Sequence, residues 1–181
     1  MNFDYQKILD AYYLPGTRVR EILLCHSRSV ADLAIEIAAG KRLPLDCDII
    51  EEAAMLHDIG IFLTDAHGID CHGTEPYIRH GILGADLLRK EGAPEYVARV
   101  AERHTGAGIE ISDILSMNLP LPADRILKPV TLLERLVCYA DKFYSKSGDM
   151  QRKSLDRVRN SMLRHSMETL ERFERLHAEF S

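Results

Sequence analysis

From Thr17 to Gly40 the residues Val19, Ile22, Leu23, Val30, Leu33 and Ile37 recur at intervals of three and four, the period of a helix that buries one face. Similar spacing returns further along the chain. Ile50, Ala53, Ala54 and Leu56 follow Asp48, whose carboxylate is placed to cap a helix, with Glu51 completing a box-like pattern and Gly60 as the stop. Ile78, Ile82, Leu83, Leu87 and Leu88 run to Gly92, and Tyr96, Val97, Val100 and Ala101 lie between Pro94 and Gly106. Thr131 and Glu134 form a capping box at the head of Leu132, Leu133, Leu136, Val137 and Ala140, which places Asp141 late in a helix. A short helix is predicted over Ile111–Met117, then a rigid connector holding Pro120, Pro122 and Pro129. Leu155, Val158, Met162, Leu170, Phe173 and Phe180 mark a C-terminal helix or helix pair. Residues 61–77 carry Gly68, Gly73 and Pro76 with no sustained period and read as a long loop. No stretch alternates with the period of a strand, so the predicted class is all-α, a single-domain helical bundle over residues 1–181.

Composition narrows the functions open to such a bundle. The chain has 181 residues, 46% of them hydrophobic, enough for the core of about one average domain of roughly 150 residues. Its net charge of −5 provides no global basic field, which argues against bulk nucleic acid or an anionic membrane as partner. No apolar run approaches the roughly 18 residues of a membrane span, and the opening MNFDYQKILD has neither a basic nor an apolar leader region, so a cytoplasmic location is expected. The four cysteines show no CxxC spacing, and Cys71 is expected to pack as a small hydrophobe. The segment 150–181 is expected to lie against the bundle, with a homodimer-forming arm as the alternative.

Six ionisable residues fall on otherwise apolar helical faces or at their ends: His26, His57, Asp58, His80, His104 and Asp141. Burying such groups costs free energy unless they are hydrogen-bonded, paired or bound to metal. Imidazole and carboxylate are the donor set for Zn, Fe, Mn, Co or Ni, and bundles build metal sites from inward-facing side chains on adjacent helices. Consecutive residues at a helix end, such as His57 and Asp58, can both turn toward one centre.

In order, His26, the LHDIG run of Leu56 to Gly60, His80, His104 and Asp141 resemble the HD superfamily of metal-dependent phosphohydrolases over roughly residues 20–146. The strings PYIRHGILGADLL, ERHTGAG and CYADKFYSK resemble a bacterial and archaeal HDIG subgroup, and the histidine order is similar to that of HD enzymes that cleave diadenosine tetraphosphate. The resemblance implies that His26, His57, Asp58 and Asp141 bind one divalent ion, and that His80 and His104 add a second bridged by Asp58. One or two ions per chain are thus expected, drawn from Fe, Mn, Co, Ni, Zn or Mg. The cyclic-di-GMP phosphodiesterases of the superfamily carry a GYP motif and a doubled histidine. Here the motif is absent and Thr105 follows His104, which argues against that substrate.

The implied reaction is hydrolysis of a phosphoester or phosphoanhydride of a nucleotide or other small phosphorylated metabolite, with Asp58 bridging the ions and orienting the attacking water. Alternatives are a di-iron oxygenase of the same superfamily and a non-enzymatic nucleotide-binding regulatory module. Lys142, Arg103 and Arg79 adjoin ligand positions and are candidates to compensate charge on the leaving group, with Lys142 preferred. A helical neighbour points about 100° away, so a solvated or ion-paired role is equally open to each. His67 and His72 in the long loop read first as solvent-facing, with a lid, a phosphate contact or an extension of the metal site as alternatives, and Thr105 heads a glycine-containing turn beside it. His165 and His177 read as surface helix positions.

Overall fold

The computed structural model describes residues 3–148 and 150–181. Among them α1 (Tyr5–Tyr12), α2 (Arg18–Lys41), α3 (Cys47–Leu56), α4 (His80–Lys90), α5 (Glu95–Arg103), α6 (Ile111–Ser116), α7 (Leu132–Asp141), α8 (Leu155–Leu163) and α9 (Met167–Phe180) make an all-α architecture. The helix α1 was not foreseen. Asp4 caps it by accepting from the Gln6 amide at 3.1 Å, and it buries Ile8 and Leu9. The cap of α3 is Asp46 rather than Asp48, since the Asp46 carboxylate accepts from the Asp48 amide at 2.8 Å. That helix stops at Leu56, four residues short of Gly60, and leaves His57 as its C-cap in right-handed helical conformation. The Thr131–Glu134 box at the head of α7 forms as expected.

Residues 61–77 are more structured than their lack of period suggested. They contain short 3-10 turns at Ile61–Leu63 and His67–Ile69 and an antiparallel pair, β1 (Asp65–Ala66) and β2 (Cys71–His72), with Asp65 opposite His72. A further 3-10 turn at Tyr77–Arg79 delays the start of α4 to His80, two residues after the expected Ile78. Ile61, Ile69 and Cys71 are buried here, so tertiary contacts rather than local periodicity hold this segment.

Helix α7 touches α2, α3, α5 and α9, and its Leu136, Val137 and Ala140 are fully buried. Two glycines allow the close approaches that set the site. A Cβ on Gly60 would lie 2.3 Å from the His80 carbonyl oxygen and 2.5 Å from the Gly84 amide nitrogen. One on Gly81 would lie 2.7 Å from the Ala101 carbonyl oxygen, so α4 and α5 meet backbone to backbone. At the other end α9 packs on α7, with the Tyr139 and Phe173 rings stacked at 5.8 Å. His177 belongs to this aromatic cluster rather than to the surface, its Nδ1 lying 2.9 Å from the Tyr139 hydroxyl. No helix among the described residues is long and apolar enough to cross a membrane.

Candidate metal centre

Three of the four central histidines are oriented by the same local device. His57 and His104 follow the last residues of α3 and α5, and His80 follows a 3-10 turn, where main-chain carbonyls lack a helical partner. Their Nδ1–H groups donate to the carbonyls three residues back: Ala54 at 2.6 Å, Tyr77 at 2.7 Å and Ala101 at 2.8 Å. Each bond fixes the tautomer that leaves the Nε2 lone pair free, the usual arrangement behind a metal-binding imidazole. His26 comes from the buried stripe of α2 and Asp141 from the last residue of α7.

These groups converge as two sets that share Asp58. His26 Nε2 lies 3.1 Å from Asp58 Oδ2, 2.9 Å from Asp141 Oδ1 and 3.3 Å from His57 Nε2, and His57 Nε2 lies 3.0 Å from Asp58 Oδ2. On the other carboxylate oxygen, His80 and His104 Nε2 are each 3.3 Å from Asp58 Oδ1 and 3.0 Å from one another. Ligand bonds of about 2.1 Å give donor separations of about 3.0 Å around an octahedral ion and about 3.4 Å around a tetrahedral one. Both sets therefore fit a divalent cation. Asp58 is fully buried, yet neither of its oxygens has an aligned hydrogen bond among the described residues, the state of a buried carboxylate suited to a cation.

The electrostatics agree with such a donor set. Burial would raise the Asp58 carboxyl, but His57 and Lys146 outweigh it and hold the group well below its usual range. Asp141 is likewise depressed, with Lys142 and His26 overcoming the effect of burial. Burial lowers His80 to about 3 and also lowers His104, leaving both imidazoles neutral. At His57 burial acts downward, but the Asp58 and Asp141 carboxylates prevail and lift it to about 9, so a cation bound there takes the place of a proton.

The remaining candidates separate by position. Lys142 Nζ sits 2.7 Å from Asp141 Oδ2 and donates to the His104 carbonyl at 3.0 Å, on the wall of a cleft of about 590 Å³. Thr105 lines the same cleft. Arg103 does not. It points to Glu134, 3.0 Å away, and to the Ile126 carbonyl, so its expected role beside the leaving group is not met by its geometry. Arg79 pairs with Glu75 at 2.8 Å, again away from the residues lining the cleft. His67 and His72 are exposed, each 3.2 Å from an aspartate, Asp65 and Asp70; their neighbours Ala66, Gly68 and Ile69 form the cleft wall instead. Cys71 is buried as a small hydrophobe. His165, assigned to the surface from sequence, is exposed but also borders the cleft.

Two residues were missed. Lys146 Nζ lies 2.6 Å from Asp58 Oδ2 and 6.0 Å from the centre of the Tyr77 ring, and that ring stacks on His80 at 4.6 Å. Lys146 was visible in the CYADKFYSK string, four residues beyond Lys142, but no period marks it because α7 ends at Asp141.

The HD domain family profile matches residues 23–145. The chain belongs to the HD domain family. The match contains all six converging residues, and the family is one of metal-dependent phosphohydrolases. A tRNA (cytidine(56)-2'-O)-methyltransferase of Thermoplasma volcanium is 34% identical over 96% of this HD chain and 46% of its own length. An uncharacterized protein of Methanocaldococcus jannaschii is 37% identical over 64% of this chain and 62% of its own. The chain thus spans about half to two thirds of these curated relatives. Among solved structures, the HD domain of the L. monocytogenes phosphodiesterase PgpH superposes with a TM-score of 0.57, 14% identity and coverage of 97% of this chain and 95% of that one. At that identity the likeness is one of fold.

Proposed function

We propose that this HD domain hydrolyses a phosphoester or phosphoanhydride bond of a nucleotide or other small phosphorylated metabolite. The observation that carries the reading is the meeting of two donor sets on the two oxygens of one buried aspartate, Asp58, with His80, His104 and Asp141 on the cleft wall. The volume of about 590 Å³ falls in the range of small-molecule sites. Ile69, Tyr77, Ile109 and Met162 supply apolar lining suited to an organic body, and Lys142 and Lys146 supply charge suited to phosphate. One or two divalent ions held by His26, His57, Asp58 and Asp141 and by Asp58, His80 and His104 would supply Lewis acidity toward a phosphoryl oxygen and a water molecule.

The chain's own groups do the positioning. Asp58 stays ionised and sets one carboxylate oxygen in each donor set, while Lys146 restrains its Oδ2 from the cleft side. Lys142 holds Asp141 Oδ2, which leaves Oδ1 facing His26 and His57. Tyr77 covers one face of His80 and shields it from water. The methyltransferase activity in the Thermoplasma volcanium relative's name belongs to a protein about twice this length, and the PgpH HD domain's complex with cyclic-di-AMP supports the nucleotide reading.

The test is a hydrolysis screen of the protein loaded in turn with Mn, Fe, Co, Ni, Zn or Mg against dinucleoside polyphosphates, nucleoside mono- and triphosphates and cyclic nucleotides. Product formation that a chelator abolishes and re-added metal restores is expected. Tight nucleotide binding without turnover under every metal would overturn the proposal in favour of a regulatory module, and oxygen consumption in place of hydrolysis would favour an oxygenase.

A further inference from the structure

Part of the cleft comes from beyond residue 145, where the family profile ends: Lys153, Met162, His165, Thr169 and Arg172 all line it. The cleft's lysines and its arginine differ in how their charge is met. Lys142 faces Asp141 at 2.7 Å, Lys146 faces Asp58 at 2.6 Å, and Arg172 faces Asp113 at 2.7 Å. Lys153 has no carboxylate partner among the described residues. Its Nζ donates to the Lys142 carbonyl at 3.0 Å, and its main-chain N–H donates to the Phe143 carbonyl at 2.8 Å. Both bonds tether it to the residues that directly follow the ligand Asp141. Burial lowers its pKa; the Asp141 carboxylate opposes this from beyond ion-pair distance, and Lys142 and Lys146 add to the lowering. A cation tethered to two main-chain carbonyls, half-buried at a cleft wall and with no carboxylate in contact, is arranged to receive an anion from a ligand.

We propose that Lys153 forms a second anion subsite, which holds a phosphate group adjoining the one that reacts. The cleft then selects phosphoanhydrides and polyphosphorylated nucleotides over phosphomonoesters. This inference rests on the hydrolytic reading for its substrate but not for the binding itself. Lys142 and Lys146 are occupied in holding Asp141 and Asp58, so a second phosphate finds at Lys153 a cleft lysine that no carboxylate touches among the described residues.

The experiment is calorimetric titration of the manganese-loaded full chain with inorganic pyrophosphate and with inorganic phosphate. It compares wild type with Lys153→Gln, which removes the charge while keeping a donor for the Lys142 carbonyl, and with Lys153→Arg. Loss of one charge-assisted contact is expected to weaken pyrophosphate binding in Lys153→Gln by about tenfold or more and phosphate binding by no more than about twofold, with Lys153→Arg restoring most of the difference. Equal weakening of both ligands, or unchanged pyrophosphate binding, would overturn the proposal. A wild-type protein that binds pyrophosphate through Lys153 yet hydrolyses nothing in the metal screen would support the subsite and contradict only the catalytic reading.

Discussion

Asp58→Asn is expected to reduce metal-dependent hydrolysis by about a thousandfold or more, the equivalent of several kcal/mol of lost charge stabilisation. The substitution preserves volume and removes the negative charge on which both donor sets meet, His26 and His57 at Oδ2 and His80 and His104 at Oδ1. An amide offers one acceptor oxygen, so it cannot serve both sets at once. The Lys146 ammonium loses its partner at 2.6 Å, but its side chain retains 13% exposure on the cleft wall and can relax outward. Helical circular dichroism should therefore match wild type while turnover and metal content fall. A variant that keeps a tenth of wild-type turnover at the same metal concentration would contradict the assignment.

Gly60→Ala is expected to damage both fold and site. The new methyl would meet main-chain atoms, the His80 carbonyl at 2.3 Å and the Gly84 amide at 2.5 Å, so no flexible side chain can yield and the Asp58 turn must move away from α4. Overpacking of this kind costs about 1–3 kcal/mol, which in a chain of this size lowers the thermal midpoint by roughly 2–12 °C. His80 heads α4 and moves with it, so affinity at the Asp58, His80 and His104 donors should fall by about 10–100-fold, as it does when the support of a ligand is lost. Gly40→Ala, in α2 where nothing lies within 4 Å, is the control and should leave metal affinity intact and the thermal midpoint equal or slightly higher. Differential scanning calorimetry and metal titration of the two variants check this; equal behaviour would contradict a backbone approach that only glycine permits.

Much of this arrangement can be read from residue order. A long apolar period marks α2 and places His26 on its buried stripe, and a capping box marks α7 and places Asp141 late in it. What escaped depends on contacts between distant segments. The α1 helix has few buried apolar residues, Ile8 and Leu9, too few to show a period. Asp46 and Asp48 are equally good caps by type, and only the chain path after Pro44 selects the first. Arg103 precedes His104 in sequence, yet the helical turn of about 100° per residue carries it to Glu134 instead of the cleft. Lys146 reaches Asp58 from a non-helical stretch 88 positions away, a pairing that no local pattern encodes.

The shared carboxylate can be tested most directly by counting ions. Wild type and His80→Ala would be loaded with manganese, desalted and assayed for metal per chain by plasma mass spectrometry. Two ions in wild type and one in His80→Ala are expected from the two donor sets. Equal metal content in the two proteins would contradict a centre in which Asp58 joins two sites.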